Sequence, residues 1–267
     1  MINVVIFSKD RPCQLDALLR SMQDNMMVLC TKKVLYSCSS KDYESGYDIL
    51  KNIHKDVLFV EEADFYMNTV ELSIDLSEDF LLWMVDDCIM KNKLEYDSTL
   101  KRFEEDQNVG IYNLRLTPST KRMTDWPEDK ERPLPTFLSD NTWEWRRAID
   151  EDWGYPMTMD GHMYKTKDMQ KYLPQISFGP PPSFDCTMWQ KPLNTKLMIC
   201  NNQQKILGFV PNRVQTGWPN RFGNISIEQM NSMWLSGKQI NLDSLYKLDE
   251  SCGKYFYIDI DFEDRHA

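Results

Sequence analysis

The chain has little glycine, 10 residues in 267, and none lies in the loop after its first apolar run. Neither GxGxxG nor GxxxxGK[ST] occurs, so dinucleotide-dependent hydride transfer and P-loop ATP hydrolysis have no fingerprint to rest on. Basic residues are also short, 31 Lys and Arg against 41 Asp and Glu. A formal net charge of -10 argues against generic nucleic-acid binding or attachment to anionic lipid, while leaving room for a local patch that holds a phosphorylated ligand. The seven cysteines show no CxxC spacing, and an odd number rules out a fully paired set. They read as reduced thiols and point to a cytoplasmic protein. No transmembrane segment is expected, because no stretch approaches the ~18 apolar residues that span a bilayer. The opening "MINVVIFSKD" lacks the basic n-region of a secretory signal, so the sequon at Asn224-Ile225-Ser226 has no export route to make it meaningful.

What is present is alternation. "INVVIF" is β-branched and apolar, as in a strand buried on both faces of a parallel sheet, and "QLDALLRSMQDNM" follows with Leu15, Leu18, Leu19 and Met22 at helical spacing. "KVLYSCS", "KDYESGYDILKNIH" and "VLFVEEADF" read as strand, helix and strand. "TVELSIDLSE" favours a helix, and "FLLWMV" is a fourth apolar strand. This order predicts an α/β sheet with its ligand chemistry at the carboxyl ends of the strands.

From Thr117 to Tyr155 the character changes. Pro118, Pro127, Pro133 and Pro135 are mixed with Trp126, Trp143, Trp145 and Trp153, which is too much proline for one helix and too aromatic for a disordered linker. Ordered loops over a pocket are expected. "HMYKT" reads as a strand, "KDMQKYL" as a short helix and "FGPPPS" as a rigid break before "FDCTMWQ". "ISIEQMNSMWLSGKQI" reads as a helix capped by Ser226, with Gly237 closing it.

The chemistry concentrates in two stretches. "FLLWMVDDCIM" delivers Asp86 and Asp87 to the end of a buried strand, and the cost of desolvating two carboxylates calls for a partner cation. A divalent metal of the Mg²⁺ or Mn²⁺ kind, bridging to ligand phosphates, would supply it. A helix cap and a solvated neighbour would explain the dipeptide without any ligand. "FSKDRPCQL" places Ser8, Lys9 and Arg11 in the loop after the first strand, where a guanidinium can meet phosphate or base edges. The plainer alternative is a surface ion pair, with Pro12 opening the next helix.

Together, "VVIFSKDRPCQLDALLRSM", the strand ending in "VDDCIM" and "MDGHMYKT" resemble the nucleotide-sugar glycosyltransferases of the GT-A fold. The later "VPNRVQTGWPNRFGNIS" and "LSGKQINL" resemble glycosyltransferase-like sequences of bacteria and large viruses. The resemblance implies a mixed, mainly parallel, Rossmann-like sheet over 1–215, with 1–115 as the nucleotide-sugar half and 116–215 as the acceptor half. Residues 216–267 would form a C-terminal helical extension packed on the same domain. By the same resemblance Ser8, Lys9 and Arg11 contact the nucleotide, Asp86 faces the ribose or sugar, and Asp87 is the surest contact to Mn²⁺ or Mg²⁺. UDP is the expected nucleotide, being the common donor of the class. Cys88 departs from the family's acidic pattern at the position where a third acid can stand.

An inverting transfer needs a carboxylate to take the acceptor's proton while the departing diphosphate is neutralised. Asp185 matches the family's position for that base, at the start of a helix. Asp160 competes for the role or binds sugar or acceptor, and Asp185 read plainly is a helix N-terminal acid favoured by the macrodipole. His162 is a further candidate for metal or acceptor, and His266 a weaker one near the chain end. Arg213 and Arg221 could clamp diphosphate, although surface ion pairs explain them too. Trp126, Trp143, Trp145, Trp153, Trp189 and Trp218 lie in the acceptor half, where one or two would stack on a glycan or glycoconjugate acceptor. The rival readings are a sugar nucleotidyltransferase, which would show a glycine-rich basic first loop, and a Ca²⁺-dependent glycan-binding module, which leaves "SKDRP" unexplained.

Overall fold

The computed structural model describes residues 1–123, 130–131, 133–149, 152–215, 221–255 and 258–265. Pro127, Trp126, Trp218 and His266 lie outside the described residues.

The first half alternates strand and helix: β1 (Ile2–Lys9), α1 (Pro12–Asn25), β2 (Cys30–Ser37), α2 (Lys41–Ile53), β3 (Val57–Glu61), α3 (Phe65–Ser73) and β4 (Phe80–Val85). After two charged residues come β5 (Cys88–Met90), α4 (Ser98–Glu105) and β6 (Val109–Asn113). Short strands follow at β7 (Arg122–Met123), β8 (Lys130–Glu131), β9 (Phe137–Ser139) and β10 (Thr142–Glu144). Then come β11 (His162–Lys165), α5 (Thr166–Tyr172), α6 (Pro181–Gln190), β12 (Leu197–Cys200) and β13 (Ile206–Phe209). The chain closes with α7 (Ile227–Leu235), β14 (Lys238–Ile240), α8 (Leu242–Tyr246), β15 (Lys254–Tyr255) and β16 (Phe262–Asp264).

Nine strands form the main sheet in the order β3-β2-β1-β4-β11-β6-β12-β10-β9. β1 pairs in parallel with β2 and β4, while β11 runs antiparallel between β4 and β6, with His162 opposite Trp83 and Asn113. The strand-helix alternation predicts an α/β sheet and the resemblance a mixed, mainly parallel one, and that is the sheet observed. β1 shows why it is continuously apolar. Ile2, Val4 and Ile6 face the cluster built on α1, α2 and α7, and Val5 and Phe7 face the one built on α3, α5 and α6. β4 divides in the same way, Phe80, Leu82 and Met84 to one face and Leu81 and Trp83 to the other.

A second sheet, β15-β13-β5, stands against the carboxyl edge of the first, so the apolar run "FLLWMVDDCIM" is two strands of different sheets with the aspartates at their junction. "FGPPPS" is a break only in part, since Pro181 and Pro182 form the first turn of α6, where missing N–H groups cost no helical bond. Ser226 and Gln229 form a reciprocal capping box that starts α7. The C-terminal segment holds α7 and α8 and also three strands, one of which, β15, completes the second sheet. Among the described residues no cysteine forms a disulfide. Among the described residues no helix is long and apolar enough to cross a membrane.

Candidate active site

The carboxyl ends of β1 and β4 meet where the loop Ser8–Arg11 faces the turn Asp86-Asp87. Asp10 takes a left-handed backbone (φ 56°), a conformation more open to Asp than to most side chains, and its Oδ1 accepts from the Ser39 N–H at 2.7 Å. That turn aims Arg11 back over the sheet edge. Its Nη1 donates to Asp86 Oδ1 at 2.9 Å and to Asp87 Oδ2 at 3.2 Å. The other face of the guanidinium is also held, Nε by Asn212 Oδ1 at 3.0 Å and Nη2 by the Asn212 carbonyl at 2.6 Å. Gln14 Nε2 fixes the same Asn212 oxygen at 2.9 Å.

Ser8 Oγ donates to Asp86 Oδ2 at 2.8 Å and meets Tyr47 Oη at 2.6 Å, while the Lys9 N–H donates to the same carboxylate oxygen at 3.2 Å. The Lys9 side chain itself is exposed. Burial pushes the Asp86 carboxyl up to about 6, against the pull of Arg11 and with the repulsion of Asp87 added. Asp87 keeps one buried oxygen, Oδ1, without a protein partner. The partner cation that the two acids require is therefore in the protein: Arg11, read from sequence as a nucleotide contact, is bound to the aspartates.

A second ion cluster lies one strand along. The Gly161 N–H donates to the Trp83 carbonyl and its carbonyl accepts from the Leu114 N–H, both at 3.0 Å, which seats Asp160 between the ends of β4 and β6. Gly161 makes this turn with φ 78°, a region that costs a side chain. Asp160 Oδ2 takes Arg115 from the end of β6 and, at 2.9 Å, Lys254 from β15. Although burial alone would raise it, the two cations hold the Asp160 carboxyl well below the usual range. Lys254 reaches it by lying across the bare α-carbon of Gly208, where an added Cβ would stand 2.6 Å from Lys254 Cγ. Asp160 Oδ1 is buried and without a protein partner.

Asp185 is in α6, close enough to Asp160 to feel its charge. Its Oδ2 accepts from Tyr155 Oη at 2.8 Å and its Oδ1 from the Met159 N–H at 3.2 Å, and burial raises its pKa. His162 opens β11. It is buried beside Tyr164 with Nδ1 3.3 Å from the Pro156 carbonyl, and burial lowers its pKa to about 3. Arg213 stacks over Phe222 at 4.8 Å, and Arg221 is half-buried.

The structure thus brings together Ser8, Arg11, Asp86 and Asp87, and beside them Asp160 and Asp185. Sequence reading missed Tyr47, Asn212, Arg115, Lys254 and Tyr155, because their partners lie far along the chain. Of the described tryptophans, Trp83, Trp143, Trp153 and Trp234 are core, Trp145 Nε1 bonds the Thr195 carbonyl, and Trp189 is 55% exposed. Among the described residues no group of three or more His, Cys, Asp or Glu is gathered to hold a metal. The aspartate pair fits a cation in one respect. Asp87 Oδ1 is an orphaned, buried acceptor, so the protein offers one oxygen outright and the rest of a shell must come from ligand and water.

The sheet order, with β11 antiparallel between β4 and β6, is that of a GT-A-like, Rossmann-like α/β fold. Among solved structures the chain is similar to S. aureus TarS, with a TM-score of 0.50 and 11% identity over 79% of this chain and 37% of that one. A structure of S. aureus TarS 1-349 gives 0.47 at 10% identity over 76% and 59% of the two chains. CMP:2-keto-3-deoxy-manno-octonic acid synthetase complexed with CTP gives 0.40 at 9% over 74% and 88%. The chain spans 37% of the TarS chain, and what it shares with that structure is the fold. No family and no curated protein matches the sequence.

Proposed function

We propose that the protein is a glycosyltransferase that moves a sugar from a nucleoside-diphosphate donor, UDP-sugar being the expected one, to a hydroxyl of a glycan or glycoconjugate. The observation that supports this most is the contrast between two neighbouring carboxylates. Asp160 is held ionised by two cations and is a poor proton acceptor, while Asp185, raised by burial and still hydrogen-bonded, is the better proton acceptor of the two. A donor carboxylate pair and a low-pKa acid at the sheet edge, with a raised-pKa acid on the neighbouring α6, is the set of groups that an inverting transfer uses. The fold is shared with TarS, a glycosyltransferase.

In this reading the nucleotide lies over β1 and β2, with Ser8, the Lys9 backbone and Arg11 at its edge. Asp87, with Asp86, would hold Mn²⁺ or Mg²⁺, which when bound supplies positive charge for the departing diphosphate. Arg11 shares or yields its hold on the two acids as the donor enters, and the partnerless Asp87 Oδ1 is the oxygen open from the start. Asp160 Oδ1, also partnerless, accepts from a sugar or acceptor hydroxyl, and Arg115 and Lys254 keep it charged. Asp185 takes the proton of the attacking hydroxyl. Arg213 and Arg221 stand in the segment after β13, where a clamp on the diphosphate would be built.

The test is initial-rate sugar release from UDP-sugars by Asp185→Asn and Asp160→Asn. Asp185→Asn should bind donor as the parent does and lose at least ~10²-fold in rate. Unchanged rate in Asp185→Asn with loss in Asp160→Asn would reassign the base.

A further inference from the structure

Resting on Asp185 as the base, we propose that Tyr155 is a positioning residue, whose hydroxyl, together with the Met159 N–H, fixes the plane of the Asp185 carboxylate for the acceptor. The Thr158 side chain also bonds the carboxylate, and at the two ends of its loop Tyr155 donates to Oδ2 at 2.8 Å and the Met159 N–H to Oδ1 at 3.2 Å. Because the two donors come from opposite ends of one five-residue loop, rotation about the Asp185 side chain would break both bonds at once.

The loop is itself pinned. Tyr164, from β11, accepts from the Thr158 N–H and donates to the Thr158 carbonyl, both at 2.9 Å, and Thr158 Oγ1 receives the Asp160 N–H at 3.2 Å. The helix on the other side is anchored by Phe184 and Met188, both fully buried and flanking Asp185. Neither partner of the Tyr155–Asp185 bond can therefore drift alone.

The groups that face Asp185 are Tyr155 and Asp160 from the loop and Tyr164 from β11, with Cys186 next to it on α6 and Arg115 acting on Tyr155 from β6. Burial raises the Asp185 carboxyl most, and the bonds from Tyr155, Thr158 and Met159 oppose it. The phenol stays a donor across the working range, because burial and the neighbouring Asp185 push its own pKa well up. Removing that hydroxyl takes a hydrogen bond from the charged form of the acid and leaves burial less opposed. The Asp185 pKa must then rise, so the base is protonated, and idle, over a wider acidic range.

The experiment uses the full chain and Tyr155→Phe, which keeps the ring and its packing. Carbon-13 NMR titration of labelled aspartate carboxyls, with the Asp185 resonance assigned by its loss in Asp185→Asn, gives the midpoint without any substrate. Tyr155→Phe should move that midpoint up by about one unit, equal to one hydrogen bond. The acidic limb of kcat/KM for release of sugar from the UDP-sugar that best stabilises the protein should move up with it, giving about a tenfold loss at acidic pH that shrinks toward pH 8. An unmoved midpoint, or a rate loss of equal size at every pH, overturns the proposal. An Asp185→Asn variant that still transfers sugar would overturn the base assignment instead, whatever Tyr155→Phe does to the midpoint.

Discussion

Two ion clusters sit side by side at the carboxyl edge of the sheet and use opposite ratios. Just after β4, two carboxylates share one cation, Arg11; just before β11, two cations share one carboxylate, Asp160. The first lies deep, with the Arg11 and Asp86 side chains 6% and 5% exposed, whereas the Arg115 and Lys254 side chains are 14% and 23% exposed. In the proposed transfer the difference separates two jobs. An excess of acid with an orphaned oxygen suits a site that gains charge compensation from a ligand, while an excess of cation on Asp160 keeps that acid ionised as a hydrogen-bond acceptor.

Substitutions should rank by this depth. Arg11→Ala leaves two buried carboxylates facing each other and should lower unfolding free energy by about 3–5 kcal/mol in urea titration, with Arg11→Lys recovering little because a point charge cannot hold Asn212 as well. Asp160→Asn, which leaves two better-hydrated cations, should cost less, about 1–3 kcal/mol. Its effect should depend on pH. A carboxyl with a folded pKa below its unfolded value contributes stability that is complete above ~4 and is lost as pH falls toward the folded value. The parent should therefore lose stability below about pH 4 more steeply than Asp160→Asn. A parallel acid response in the two would separate Asp160 from that transition.

Smaller effects sharpen the same contrast. Gly208→Ala puts a methyl against the stem of Lys254, and since that stem can swing aside the cost should be about 1 kcal/mol, with Lys254 withdrawn from Asp160. A double-mutant cycle of Gly208→Ala with Lys254→Ala should show non-additivity, and strict additivity would disprove the contact. The exposed pair Arg102–Asp140 serves as the control, where Arg102→Ala should change stability by less than about 0.5 kcal/mol.

Much of the first half was legible because local pattern and global fold agree there. β1 and β4 are apolar on both faces because helices cover both, and the α1 leucines repeat at helical spacing because they pack on Ile2, Val4 and Ile6. The acids at the end of β4 could be located for the same reason, since a strand with two buried faces opens to ligand only at its end. What sequence could not supply was partnership across distance. Asn212 lies 201 residues from Arg11, and Lys254 lies 94 from Asp160. Lys254 has no motif at all, and its only local sign is the glycine it crosses, which stands in another strand. The cation owed to Asp86 and Asp87 was inferred correctly as a need, but residue type alone did not tell Arg11 from a metal.

The proposed donor site requires that the acids at the end of β4 take up a metal-bound sugar nucleotide in addition to Arg11. Thermal unfolding of the full chain should be followed with UDP, GDP, CMP and their sugars, each with and without Mn²⁺, in the parent and in Asp87→Ala. Binding to the native state raises the midpoint by mass action. One nucleotide should raise it with Mn²⁺ and markedly less without, and Asp87→Ala should remove the metal-dependent part. If no nucleotide shifts the parent in the presence of Mn²⁺, or if Asp87→Ala keeps the full shift, the β4 acids are not the donor site.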